Sequence, residues 1–132
     1  MSFAHASGET TIRAAAAVSV TDYAYADGPT KSTGRVAQIR STQIGFTVKV
    51  AARTAGTLVT SVQGRTTTSD TWRDLGTTLQ TTFSTNRQAT VFPTTGGPLP
   101  AFLRVVLTPA GGFDGTAQVV MSASPPEGAP EP

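Results

Sequence analysis

The sequence predicts an all-β domain, an antiparallel β-sandwich or jelly roll of about eight to nine strands. Short segments alternate between apolar and polar residues, and turn signals recur about every ten residues. No segment makes a convincing helix, and no fixed-period repeat indicates a propeller or solenoid. The 132 residues suit one domain with a single hydrophobic core.

The first strand is predicted from Thr11, where apolar positions from Ile12 to Val20 alternate with Arg13 and small residues. A short helix over 13–18 is the alternative, because alanine is the best helix former. The flanking threonines, valines and tyrosines favour the strand. A turn at 27–29, which reads Asp-Gly-Pro, ends this region.

A short strand is predicted over 36–40, and residues 43–50 show the clearest alternation in the chain. Ala55-Gly56 is predicted to turn that strand back. A β-hairpin then follows over 57–76, with its turn around Ser69-Asp70 and the only tryptophan, Trp72, starting the return strand.

Further strands are predicted near 79–83 and 89–92, with a turn at 86–87. The proline-rich run 93–100 is predicted to be a loop, because proline cannot donate to a sheet ladder. Residues 102–107 form a nearly continuous apolar strand, whose Arg104 must reach solvent, a partner or an acid. A tight connection at 111–115 leads to the last strand, 117–123.

The predicted organisation has three parts. Residues 1–10 are an extended N-terminal arm, 11–124 the β-sandwich domain, and 125–132 a disordered proline-rich tail. The N-terminus lacks the basic start and apolar core of a secretory signal. No apolar run is long enough to span a membrane.

Composition excludes several function classes. Cysteine is absent, which removes disulfides, a thiol nucleophile and cysteine-bound metal. Charged residues make up only 14%, and the net charge is +2. The basic residues are scattered singly between Arg13 and Arg104, without the block that tracks a phosphate backbone. We therefore expect no nucleic-acid partner.

No residue set completes a catalytic or metal site, so we expect no enzyme, cofactor or metal. The only histidine, His5, lies in the predicted arm without the acid that a serine triad needs. Asp70 and Asp74 bracket Trp72 as a glycosidase pair would, but aspartates at turns bond to their own backbone. The spacing of the other aspartates matches no calcium loop, and residues 111–115 lack the following helix of a phosphate site. The aspartates in question are Asp22, Asp27 and Asp114.

The larger aromatic side chains leave two interpretations open. Trp72, Tyr23 and Tyr25 could form a platform on which a sugar stacks, although a lone tryptophan on a strand more often packs against the domain. Tyr23 and Tyr25 share one strand face just before a turn, which equally fits a contact between subunits.

The hairpin and the later apolar strand resemble a group of tailed-bacteriophage structural proteins. In that group a strand ending in V-x-G-S leads through S-x-D-G-x-x-W to D-L-G, and a later strand reads R-Y-V-R-V-x-L-T. Residues 57–76 and 101–123 are similar in order and spacing. Arg65 replaces the usual serine or asparagine, the turn lacks its glycine, and Phe102-Leu103 replaces Tyr-Val.

Proteins of this type resemble head decoration, or cement, proteins, which clamp a capsid lattice and often form trimers. The resemblance implies a virion protein on the capsid surface, with the major capsid protein as partner and a homo-oligomer, a trimer by preference. The arm would order only on assembly. The expected capsid or subunit contacts are Ser2, Phe3, His5, Glu9, Arg13, Tyr23 and Tyr25. The alternative is a carbohydrate-binding or tail-fibre module in which Trp72 stacks on the ligand.

Overall fold

The computed structural model describes residues 9–35, 43–75, 81–91 and 100–124. Within these ranges every regular element is a β-strand, and no helix of the kind that crosses a membrane occurs there. The all-β prediction is confirmed. The predicted strand at 36–40, most of the arm, the loop at 93–99 and the tail lie outside the described residues. The strands are β1 Glu9–Ala17, β2 Asp22–Tyr25, β3 Gln43–Arg65, β4 Arg73–Asp74, β5 Thr81–Phe83, β6 Arg87–Val91 and β7 Phe102–Ser124.

All seven strands belong to one antiparallel sheet. Its centre is the pairing of β3 with β7, each of 23 residues. β1 and β2 pair with the C-terminal and N-terminal parts of β7, respectively. β6 pairs with the first part of β3, and β5 and β4 pair with its second part.

The described residues hold seven strands, and two of the predicted turns are bends inside β3 and β7. From Ala51 to Ala55, β3 advances by four residues while β7 advances by two. From Asp114 to Ala110, β7 then covers four residues while β3 covers two. Each strand therefore bulges once and pairing resumes beyond the bulge. The glycines at which turns were predicted instead adopt the left-handed backbone conformation within these strands; φ at Gly56 is 73°.

The strand prediction for the first segment is confirmed, since β1 runs from Glu9 to Ala17. Ile12 is buried and Val18, just after the strand, is also buried. The alanines at 14–17 are exposed, so their helix propensity is overridden by pairing with β7.

One hydrophobic cluster collects buried side chains from both sides of the bend. Phe46 and Val48 come from the first part of β3, and Leu58 and Val62 from its second part. Phe83 of β5 is fully buried in the same cluster. Both parts of the sheet are thus held by a shared core.

The part of the sheet formed by β2, β7, β3 and β4 has one core face and one outer face. Leu103, Val105 and Leu107 are buried in the core cluster. The alternate residues Phe102 and Arg104 are only half-buried, as period-two alternation requires. This outer face carries the candidate site.

Candidate functional site

Aromatic and arginine side chains meet on this outer face. The group includes both tyrosines of the chain and its single tryptophan. We call it the aromatic–arginine cluster; its members are Tyr23, Tyr25, Arg65, Trp72, Phe102 and Arg104.

Strand register explains why these residues meet. Tyr25 lies opposite Arg104, Arg104 opposite Gln63, and Gln63 opposite Asp74. These four residues form a row across β2, β7, β3 and β4, and directly opposed residues in antiparallel strands have neighbouring side chains. The next row places Phe102 opposite Arg65.

The hairpin between β3 and β4 brings Trp72 to this face. The Asp70 carboxylate accepts a bond from the Thr67 N–H at 3.0 Å, and the Asp70 N–H donates to the Thr67 carbonyl at 3.2 Å. Asp70 thus closes its own turn, as predicted for an aspartate at that position. Beyond Trp72, the Leu75 N–H donates to the Val62 carbonyl at 3.1 Å, which ties the return strand to β3.

Gly34 leaves the space that the indole occupies. A methyl group added at Gly34 would lie 2.6 Å from the Leu103 carbonyl oxygen and 3.0 Å from Cη2 of Trp72. Gly34 also has φ of 77°, and its N–H donates to Asp27 Oδ1 at 2.9 Å. The loop before residue 36 therefore packs directly against the tryptophan.

Two guanidinium groups stack on the same indole. The central guanidinium carbons of Arg65 and Arg104 lie 4.3 and 4.4 Å from the Trp72 ring centroid. Arg104 also lies 4.1 Å from the ring of Tyr23, and the rings of Tyr25 and Trp72 are 6.1 Å apart. Contacts at these distances are attractive cation–π and tilted aromatic interactions.

Arg104 makes its polar contact among the described residues with an amide side chain. Its Nε donates to Gln63 Oε1 at 2.9 Å, and Gln63 Nε2 donates to Asp74 Oδ1 at 3.1 Å. The half-buried guanidinium therefore reaches aromatic rings and an amide rather than an acid. The Asp74 carboxylate thereby holds the Gln63 amide in place.

Arg65 is incompletely bonded within the described part of the chain. One terminal nitrogen donates to the Thr68 carbonyl at 3.0 Å, but the buried Nε has no hydrogen-bond partner there. The described residues contain one ion pair, Arg13 with Asp22, so no acid among them pairs with Arg65 or Arg104. Among the described residues, the two guanidiniums of the cluster therefore contact aromatic rings and no carboxylate.

The structure brings together three of the residues proposed from sequence, namely Tyr23, Tyr25 and Trp72. Glu9 starts β1 and is exposed, opposite Ser122. Arg13 is tied inward: its Nε donates to Asp22 at 2.9 Å, and its terminal nitrogens reach four backbone carbonyls. Ser2, Phe3 and His5 lie outside the described residues.

The remaining aspartates bond to their surroundings rather than to one another. Asp27 accepts from Thr33 and Gly34, and Asp114 accepts from Thr54 at 2.8 Å. Across residues 9–35, 43–75, 81–91 and 100–124, no three His, Cys, Asp or Glu side chains come together in a metal-binding group.

Sequence reasoning missed the arginine half of the cluster. In the sequence, Arg65 and Arg104 are isolated basic residues on predicted strands, 39 positions apart. Period-two alternation does place Arg104 and Phe102 on the face opposite the core, which was the available signal. The register that sets them beside Trp72 depends on long-range pairing, which spacing does not encode.

Comparisons with protein-family models, with curated proteins and with solved structures give no match to this chain. The assignment of function therefore depends on the cluster itself and on the motif resemblance.

Proposed function

We propose that this protein is a structural virion protein that decorates and stabilises a bacteriophage capsid by binding at junctions between major capsid protein subunits. The observation that carries the proposal is the aromatic–arginine cluster on the outer face of the sheet. Tryptophan, tyrosine and arginine are the residue types that most often dominate binding energy at protein interfaces. Here all the tyrosine and tryptophan of the chain is gathered at one face.

The surroundings of the cluster also favour binding over chemistry. Tyr23 is 39% exposed, although its ring contacts Tyr25 and Arg104. An exposed ring held in place by neighbours loses little conformational freedom when a partner covers it. The low charge density of 14% and the hydroxyl-rich sequence fit a surface that meets other proteins.

The finer architecture in the proposal is a sandwich, with the sheet folded at the bend so that its two parts pack face to face. The shared core supports this, because residues from both sides of the bend belong to one buried cluster. Trimers at capsid symmetry axes would multiply a modest contact, since linked sites bind with a raised effective concentration.

Capsids assembled without the protein provide the test. Purified protein should co-sediment with them in a saturable way, and Tyr23→Ala combined with Arg104→Gln should lower occupancy at a fixed protein concentration. Arg87→Gln is the matched control, because Arg87 stacks on Phe83 at 4.8 Å away from the cluster. Absence of co-sedimentation with the unmodified protein would refute the proposal.

A carbohydrate-binding or tail-fibre module is the second candidate. Sugar-binding sites commonly use aromatic rings, and Tyr23, Tyr25 and Trp72 do lie together. This candidate requires glycan binding that Trp72→Ala abolishes while far-UV circular dichroism stays unchanged. Two guanidiniums already stack on the Trp72 ring, which makes the indole a poorer platform for a sugar.

A further inference from the structure

We propose that the aromatic–arginine cluster binds an acidic segment of a partner protein, with Arg65 and Arg104 pairing with its carboxylates. This inference gives the chemistry of the contact in the proposed function and rests on that function for the partner's identity. The carboxylate specificity itself follows from the charges and hydrogen bonds of the cluster.

The first step is the imbalance of charge. The central carbons of the two guanidiniums lie 4.3 and 4.4 Å from one ring centroid, so they are at most 8.7 Å apart. Like charges this close repel, more strongly where side chains are partly buried. The only ion pair within the described ranges is elsewhere, between Arg13 and Asp22. A partner carboxylate bonded to either guanidinium would relieve the repulsion.

The second step concerns the hydrogen-bond donors that Arg65 and Arg104 could offer to a carboxylate. One terminal nitrogen of Arg65 donates to the Thr68 carbonyl at 3.0 Å. The Arg65 Nε is buried and out of reach of a docking partner, so this arginine would bond a partner through its terminal nitrogens. Among the described residues, the Arg104 guanidinium makes one hydrogen bond, through Nε, so a partner carboxylate would bond its terminal nitrogens. A carboxylate accepts two parallel bonds from a guanidinium edge, which is the geometry these nitrogens offer.

The third step is the surface around the arginines. The row from Tyr25 through Arg104 and Gln63 to Asp74 crosses four strands. Among the described residues, the outer strands of this row, β2 and β4, each pair with one neighbouring strand. An extended peptide could therefore lie across the face, with its acids on the arginines and its apolar atoms on the exposed Tyr23 ring.

An acidic protein segment fits better than nucleic acid. Affinity for a phosphate backbone grows with the number of phosphates neutralised, and this cluster contains two guanidiniums. A peptide carboxylate needs only one or two arginines, and the aromatic rings add contacts to the rest of the segment.

Trp72, as the only tryptophan, reports binding directly through its fluorescence. Poly-L-glutamate should change Trp72 emission in a saturable way that salt weakens, whereas uncharged poly-L-glutamine should not. Arg104→Gln and Arg65→Lys should each weaken the binding about tenfold, the effect of losing one charge-assisted bond. Arg87→Gln removes the same charge outside the cluster and should leave the affinity within about twofold, since its stacking partner is Phe83.

A measurement on the unmodified protein keeps the test independent of variant folding. In ¹⁵N-edited spectra, poly-L-glutamate should shift the Nε–H signals of Arg65 and Arg104. The Nε–H signals of Arg13 and Arg53 should stay in place, because these arginines lie outside the cluster and bond to Asp22 and Gly56. Equal shifts of all four signals, or no change in Trp72 emission, would overturn the inference.

Three further outcomes would distinguish the acidic contact from nucleic-acid binding and from the capsid role. A stronger cluster-dependent response to oligothymidylate than to poly-L-glutamate would assign the face to nucleic acid and overturn the inference. Co-sedimentation with capsids without any poly-L-glutamate response would leave the proposed function standing and overturn the acidic contact. A response that depends on Arg65 and Arg104, with no capsid binding, would support the acidic contact and refute the capsid role.

Discussion

Trp72 shows how one residue can organise a surface without being part of a reaction. Its ring lies against two guanidiniums, one tyrosine and the backbone at Gly34. Each cation–π contact contributes about 0.5–2 kcal/mol, depending on how far water is excluded. The indole therefore fixes the positions of Arg65 and Arg104, and we expect it to act by holding binding groups in place.

Substitution of Gly34 by alanine tests how closely this loop packs against Trp72. Gly34→Ala puts a methyl group 3.0 Å from Cη2 of Trp72 and 2.6 Å from the Leu103 carbonyl, at φ of 77°. We expect a loss of about 2–4 kcal/mol in unfolding free energy, since left-handed strain and overpacking add. Urea unfolding followed by circular dichroism measures the loss, and native Trp72 emission should shift.

Gly28→Ala is the control for backbone strain. Gly28 has φ of 98°, but an added methyl group there meets nothing within 4 Å. This variant should lose about 1–2 kcal/mol from strain alone and keep the native Trp72 emission. Equal losses in the two variants would mean that Gly34 is not packed against the indole.

At the scale of elements, the bend in β3 and β7 is the feature that shapes the sheet. Gly56 and Gly112 have nearly equal φ, 73° and 72°, so they form a matched pair. A methyl group at Gly56 would clash with the Phe113 backbone and lie 2.7 Å from the Ala110 carbonyl, whereas at Gly112 it meets nothing within 4 Å.

Alanine at these two glycines should therefore have unequal effects. Gly112→Ala should cost about 1–2 kcal/mol, the usual penalty for left-handed alanine. Gly56→Ala should cost at least about 2 kcal/mol more, because the two strands must separate at the bend. Thermal unfolding gives the difference, and faster amide exchange at Leu58 to Thr60 in the second variant would locate it. Similar costs would contradict the close approach of the strands.

The elements also show what the sequence could and could not predict. Alternating apolar residues predicted β1, the first part of β3 and the hairpin to Trp72, because period two directly reflects a half-buried strand. Glycines at 56 and 111–112 were interpreted as turns, yet they bend continuous strands. A local turn signal gives backbone conformation but not whether pairing resumes, so the number of strands and the arginine cluster both depended on long-range register.

At the scale of the whole molecule, one core joins the two parts of the sheet. Val48 lies before the bend, buried opposite Val119, while Trp72 belongs to the hairpin that follows it. Because the core cluster includes residues from both parts, neither part can lose its packing without exposing the other. Unfolding should therefore be a single cooperative transition, as in most domains of this size.

Val48→Ala tests this cooperativity. It should lower the unfolding free energy by about 2 kcal/mol, the effect of removing two buried methyl groups and leaving a small cavity. Urea curves from circular dichroism and from Trp72 emission should move by the same amount, although Trp72 lies beyond the bend. Val20→Ala is the control, because Val20 is 72% exposed and its truncation should change stability by less than about 0.5 kcal/mol. A Trp72 curve that stays in place while the dichroism curve shifts would show that the two parts unfold separately, and the shared core would then not couple the binding face to the rest of the sheet.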